Sequence, residues 1–134
     1  MSLTPFQSAI KLLYDGHSRA ARAALSQIWM DGENNAADAA RYIARIDSSD
    51  NRYVDAIAIL EASLEKFGDD AFTLARLSEL YMITGLYDSA ISAAKKSLKS
   101  KPDNAITALN LTIWQSNYEG CPARIRVAFE KWSA

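Results

Sequence analysis

The sequence predicts an all-α fold built from repeated pairs of antiparallel helices, and three observations lead to this prediction. Gly and Pro are scarce, at 5 and 3 residues in a chain of 134, which favours helices over a turn-rich β fold. Apolar residues recur with helical spacing along most of the chain. Many of these positions return after about 34 residues, so the chain holds nearly four such repeats.

Composition and charge argue against several classes of function. Fifteen Lys and Arg against sixteen Asp and Glu give a net charge of −1, without the basic excess of a nucleic-acid binder. The sequence has no run of about 18 apolar residues and no secretion signal at its start, so we expect a cytoplasmic protein without a membrane segment. With one His and one Cys, no metal, cofactor or internal disulfide is expected.

The first repeat, residues 2–36, opens at Thr4 and Pro5, a capping residue followed by the proline that a helix start accepts. Its first helix is predicted to end at Gly16. Four apolar residues share one face of that helix: Phe6, Ala9, Ile10 and Leu13. A second helix is predicted from another apolar stripe: Ala21, Ala24, Leu25, Ile28 and Trp29.

The third repeat, residues 71–104, has the clearest pattern. Its first helix is predicted over Asp70–Thr84, with an aspartate capping the start and Gly85 taking the left-handed conformation at the end. A second helix is predicted over Tyr87–Ser100, where Pro102 stops it.

The second and fourth repeats, residues 37–70 and 105–134, follow this pattern with departures. Asp47 stands where the third repeat has Tyr81, and Asn51 stands where it has Gly85. The acidic residues from 47 to 70 are interpreted mostly as helix ends and solvent-facing positions. In the fourth repeat, helices are predicted over Asn104–Asn117 and Pro122–Trp132.

Two alanines are expected where the helices of a pair cross. Ala56 and Ala90 are related by the repeat offset, and only a small side chain lets two helix axes approach to about 8–10 Å. Because no single pair can bury its apolar face alone, the pairs must stack.

The pattern of the third repeat rests on residues at fixed spacing within 34 positions: Leu74, Leu77, Ser78, Tyr81, Gly85, Tyr87, Ala90, Ile91, Ser97, Leu98 and Pro102. With these residues the third repeat resembles the tetratricopeptide repeat family. Ser97 is a departure, because the family has alanine there. The resemblance implies one domain over residues 1–134, a right-handed α-solenoid of about four antiparallel helix pairs.

In tetratricopeptide arrays the first helices of successive repeats line a concave groove that binds proteins. The resemblance therefore implies a set of candidate binding residues, here called the predicted groove residues: Arg41, Tyr42, Arg45, Phe72, Arg76, Glu79, Ile106, Asn110 and Ile113. The three arginines would engage an acidic or carboxylate-bearing peptide. Ile106 and Ile113 would form an apolar contact surface on a helix face expected to see solvent.

The expected function is thus a non-catalytic protein–protein interaction module. No group of nucleophile, base and orienting residue is apparent, so we do not expect an enzyme. His17 is interpreted as a solvated or capping residue and Cys121 as incidental. The partner's identity is not predicted.

Two alternatives of other classes stay open. One is an accessory domain of a larger enzyme such as a glycosyltransferase, because the sequence from Asn117 to Trp132 resembles the segment that joins such repeats to a catalytic domain. The other is homo-oligomerisation through the fourth repeat. No polar capping helix follows Trp132, so its own helix caps the array, a partner covers it, or the chain belongs to something longer.

Overall fold

The computed structural model describes residues 2–32 and 34–117, and these ranges contain helices and loops but no strand. The helices follow one another in the order α1 (Pro5–Tyr14), α2 (Ser18–Asp31), α3 (Ala36–Ser49), α4 (Tyr53–Phe67), α5 (Ala71–Ile83), α6 (Tyr87–Ser100) and α7 (Ala105–Asn117). The predicted all-α fold is confirmed. The second helix predicted for the fourth repeat lies outside the described residues.

Contacts between helices divide the chain into two compact units, Met1–Gly68 and Asp69–Ala134, here called the N-terminal and C-terminal units. In the N-terminal unit α1 packs on α2, α2 on α3, and α3 on α4. In the C-terminal unit α5 packs on α6, and α6 on α7. Consecutive helices joined by short turns and packed on each other are antiparallel, so α1 with α2, α3 with α4 and α5 with α6 form the helix pairs predicted for the first three repeats.

The predicted helix ends are present where local chemistry requires them. Thr4 caps α1 by accepting a 3.1 Å hydrogen bond from the backbone N–H of Gln7, and the Gln7 side chain accepts one of 3.0 Å from the backbone N–H of Thr4. Pro5 is the first residue of α1, and the Asp70 carboxylate accepts a hydrogen bond from the first turn of α5. The bonds to Thr4 and Asp70 satisfy backbone N–H groups in the first turns of α1 and α5, which have no partner within their helices.

Positive φ angles explain one departure from the repeat pattern. Gly85 follows α5 with φ 85°, and Asn51, its counterpart after α3, has φ 62°. Asparagine tolerates the left-handed region better than other non-glycine residues, so both turns use the same backbone conformation.

Small side chains are buried in both units. Ala56 of α4 and Ala90 of α6 have no exposed surface, which agrees with the prediction that they lie between packed helices. In the N-terminal unit, buried residues of α1, α2 and α3 form one cluster: Ala9, Ala21, Leu25, Ala39, Ile43 and Ile46. In the C-terminal unit, Tyr87 and Ile91 of α6 pack with residues of α5 and α7: Met82, Leu111 and Trp114.

Asp47 lies in the last turn of α3, a helix end as predicted, but the expectation that these acids face solvent is wrong for it, because its side chain is buried in the N-terminal unit. Its carboxylate accepts two hydrogen bonds from Arg22 of α2, 2.8 Å from Nε and 3.0 Å from Nη2. Arg52, just before α4, places its Nη2 2.9 Å from the same carboxylate. The aspartate that replaces an aromatic residue thus ties three elements together by charge-assisted bonds.

At position 97 we expect serine to stabilise this chain more than alanine, the residue that the family prefers there. Its buried hydroxyl donates a 2.8 Å hydrogen bond to the carbonyl of Ala71, which links α6 to the start of α5. We expect Ser97→Ala to lower the free energy of unfolding by about 1 kcal/mol, measured by urea denaturation. Ser92→Ala, on the exposed face of the same helix, is the control and is expected to change stability by less than about 0.5 kcal/mol. Equal stability of the two variants would contradict this role for Ser97.

Candidate functional site

The predicted groove residues of the N-terminal unit lie on α3 in different environments. Arg41 forms an ion pair with Asp38, one turn earlier on the same helix. Tyr42 is half-buried, and its ring meets that of Phe6 edge-on with centroids 5.8 Å apart, so much of its surface already serves the core. Arg45 is exposed and lines a cleft of about 300 Å³ between α1 and α3.

In the C-terminal unit, α5 presents Phe72, Arg76 and Glu79 at positions i, i+4 and i+7, which share one helix face. Phe72 is 54% exposed, although the ammonium group of Lys101 lies 4.3 Å from its ring centroid. Arg76 and Glu79 form a 3.0 Å ion pair. The face therefore combines an aromatic surface with charges of both signs. The Lys101 ammonium is attracted to the negative face of the Phe72 ring.

Helix α7 is the first helix of the fourth repeat. Of the three helices that hold predicted groove residues, it exposes the most apolar side chains. Ile106 and Ile113 are 69% and 46% exposed, and Leu109 between them is 62% exposed. These residues follow the i, i+3, i+7 spacing of a single face, and Asn110 beside them is half-buried. Leu111 and Trp114 instead pack inward against α6. Single exposed apolar residues are common, but three on one face are typical of a contact surface.

Arg76 keeps hydrogen-bonding capacity. A guanidinium has five N–H donors, and the ion pair of Arg76 with Glu79 uses one nitrogen. Within the described residues, neither a hydrogen bond nor an ion pair involves the guanidinium of Arg45. Arg45 is therefore the predicted groove arginine with most capacity for an acidic ligand. The assignment of the nine residues to one binding surface stays a prediction.

A second basic region, which the sequence did not predict, lies in the N-terminal unit where α2 begins and α3 ends, and its arginines are Arg19, Arg22 and Arg52. Arg22 belongs to it through its bonds to Asp47, which raise the pKa of the Arg22 guanidinium above its ordinary value despite partial burial. The available signal was an aspartate where the third repeat has Tyr81, because a carboxylate that becomes buried requires a cationic partner.

Other kinds of site find little support in the described part of the chain. His17 is exposed before α2, and its side chain makes no capping bond to that helix, which agrees with a solvated residue. No group of His, Cys, Asp and Glu among residues 2–32 and 34–117 is arranged to hold a metal ion. Over the same residues, no helix combines the length and apolar character needed to cross a bilayer. Cys121 and Trp132 lie outside the described residues.

Comparison with known proteins supports the architecture. Neither the protein-family models nor the curated proteins give a match to the sequence. Among solved structures, a mutant O-GlcNAc transferase from Thermobaculum terrenum is similar to the chain, with a TM-score of 0.71 and 14% sequence identity. The similarity covers 94% of this chain and 25% of the transferase chain, so the protein spans a quarter of that enzyme's length. At this identity the likeness shows the fold alone, a tetratricopeptide-like helical repeat.

Proposed function

We propose that the chain is a non-catalytic interaction module that binds a segment of a partner protein through exposed faces of α3, α5 and α7. The observation that supports this proposal most is the apolar face of α7, where Ile106, Leu109 and Ile113 are exposed together. Water contact with such a face is unfavourable, and covering it contributes about 25 cal/mol per Å² of apolar surface. A partner segment with apolar side chains would remove that surface from water.

The charges on α3 and α5 favour a partner that also carries carboxylates. Arg45 has no charged partner within the described residues, and Arg76 retains N–H donors beyond its ion pair with Glu79. Arginine binds a carboxylate through two parallel hydrogen bonds, which fixes orientation as well as adding affinity. The proposed ligand is therefore a segment with apolar anchors and acidic residues, extended or helical.

A selection from a displayed random-peptide library tests this proposal without knowledge of the natural partner. The immobilised chain is expected to enrich peptides that combine acidic and large apolar residues. In a parallel selection, Ile106→Ser/Leu109→Ser/Ile113→Ser should lose the apolar enrichment because it removes the α7 face. Val54→Ser/Ile83→Ser is the control, since both residues are exposed apolar positions outside the predicted groove residues. Enrichment that is the same with all three baits would refute the proposed surface.

A second candidate function is a substrate-recruiting domain of a larger enzyme such as a glycosyltransferase. What favours it is the similarity to an O-GlcNAc transferase, which covers 94% of this chain but only 25% of the other. Sequencing the gene beyond the codon for Ala134 tests this candidate. A continuous reading frame that enters a catalytic domain is expected, and a stop codon at that point would contradict the candidate in its single-chain form.

A further inference from the structure

The N-terminal unit contains a cleft of about 590 Å³ between the start of α2, the end of α3 and the residue before α4. It lies apart from the predicted groove residues and has both basic and apolar walls. The residues that line it are Ser18, Arg19, Arg22, Ala23, Ile46, Asp50 and Arg52. Its volume is in the range of about 300–1,000 Å³ that small-molecule sites occupy.

Three guanidinium groups line this cleft, and two of them are engaged. Arg22 directs Nε and Nη2 to the buried Asp47 carboxylate, and Arg52 directs Nη2 to the same group. Arg52 also lies 3.6 Å from the Asp50 carboxylate. The network holds two arginines at the cleft wall in fixed positions, and each keeps N–H groups that the network does not use.

Arg19 is the unengaged arginine of the cleft. No hydrogen bond or ion pair joins its guanidinium to any residue in the described part of the chain. It occupies the first turn of α2, where the helix dipole disfavours a cation. The corresponding turns of α4 and α6 carry Asp55 and Asp88, whereas the first turn of α2 has no acid. A residue that breaks a local preference in this way is often retained for function.

The charge and the walls of the cleft together define the class of ligand. Asp47, Asp50 and, at longer range from Arg22, Asp55 balance the charge of the arginines, and Arg19 is the lining cation without a partner among the described residues, which matches one carboxylate better than a dianion. Ala23 and Ile46 provide apolar surface beside the arginines. We propose that this cleft binds a small amphipathic carboxylate, with the carboxylate paired to Arg19 and the apolar body against Ala23 and Ile46. Arg22 and Arg52 supply further donors to the same carboxylate.

Titration of the isotope-labelled full chain with sodium hexanoate, followed by NMR at constant ionic strength, tests the proposal. Saturable shifts are expected in the backbone amides of Ser18–Arg22 and in the methyl groups of Ala23 and Ile46. Arg19→Glu is expected to weaken this binding at least about tenfold, because it removes the paired cation and repels the carboxylate. The fold should tolerate the change, since an acid in the first turn suits the helix dipole.

Lys96→Glu is the matched control, because it makes the same change in net charge on the exposed face of α6. It should bind hexanoate as the unaltered chain does. Inorganic phosphate in place of hexanoate distinguishes the carboxylate from another oxyanion, and the same amides should move less. The proposal is overturned if Arg19→Glu binds hexanoate normally, if phosphate binds more tightly than hexanoate, or if the shifts spread over all surface lysines and arginines. Arg19 is not a predicted groove residue, so this result is independent of peptide binding.

Discussion

Replacing Arg22 with methionine is expected to lower the free energy of unfolding by about 3 kcal/mol. The change leaves the buried carboxylate of Asp47 with Arg52 as its remaining cationic partner and removes both bonds that Arg22 donates. Breaking a buried ion pair costs about 3–5 kcal/mol, and the lower end applies because Arg52 still contacts Asp47 and because the Arg22 side chain is 35% exposed, so water can reach the gap. Chemical denaturation followed by circular dichroism measures the difference.

The matched control is Arg19→Met, one helical turn earlier on α2. Its side chain is exposed and unpaired among the described residues, so we expect a change below about 0.5 kcal/mol. The double variant Arg22→Met/Asp47→Leu removes both charges, and it should recover most of the loss because an apolar pair needs no charge compensation. A loss below about 1 kcal/mol for Arg22→Met, or no recovery in the double variant, would contradict the structural role given to Asp47.

Reversing the charges of Arg41, Arg45 and Arg76 to glutamate is expected to weaken the binding of an acidic selected peptide at least about tenfold, or 1.4 kcal/mol. Three attractive contacts become repulsive, and the glutamates would also lie near Asp38 and Glu79, the present partners of two of the arginines. Fluorescence anisotropy with the labelled peptide measures the affinity. The unaltered chain should also lose affinity as salt is added, because exposed charges are screened.

The control for this variant reverses three lysines of α6, Lys95, Lys96 and Lys99. The net charge then changes equally, whereas the predicted groove residues stay intact. Both variants are checked for an unchanged helical circular-dichroism spectrum before their affinities are compared. An equal loss of affinity in the two variants would show that the peptide responds only to the net charge of the chain. An unchanged affinity in the arginine variant would show that these arginines do not belong to the binding surface.

The fold was predictable from sequence where it depends on neighbouring residues. The capping of α1 by Thr4 and Gln7, and the glycine turn at Gly85, follow from local chemistry. The burial of Ala56 and Ala90 follows from the repeat itself, because a position that returns at a fixed offset repeats its environment.

The site was less predictable because it depends on contacts distant along the chain. Asp47 appeared to be a surface acid, since its partner Arg22 lies 25 residues earlier on another helix. The cleft beside Arg19 likewise arises only when α2 and α3 pack together. Helical spacing places Ile106 and Ile113 on one face of α7. Whether that face is exposed depends on which helices pack against α7, and this does not follow from spacing.

Mapping the bound peptide on the chain by NMR tests the central claim most directly. A peptide selected against the unaltered chain is added to the isotope-labelled protein, and perturbed residues are located. The largest shifts are expected at Arg45, Phe72, Ile106 and Ile113, the exposed members of the predicted groove residues on α3, α5 and α7. Shifts confined to exposed residues of α4 and α6, such as Val54 and Lys96, would place the binding surface elsewhere and contradict the proposed function.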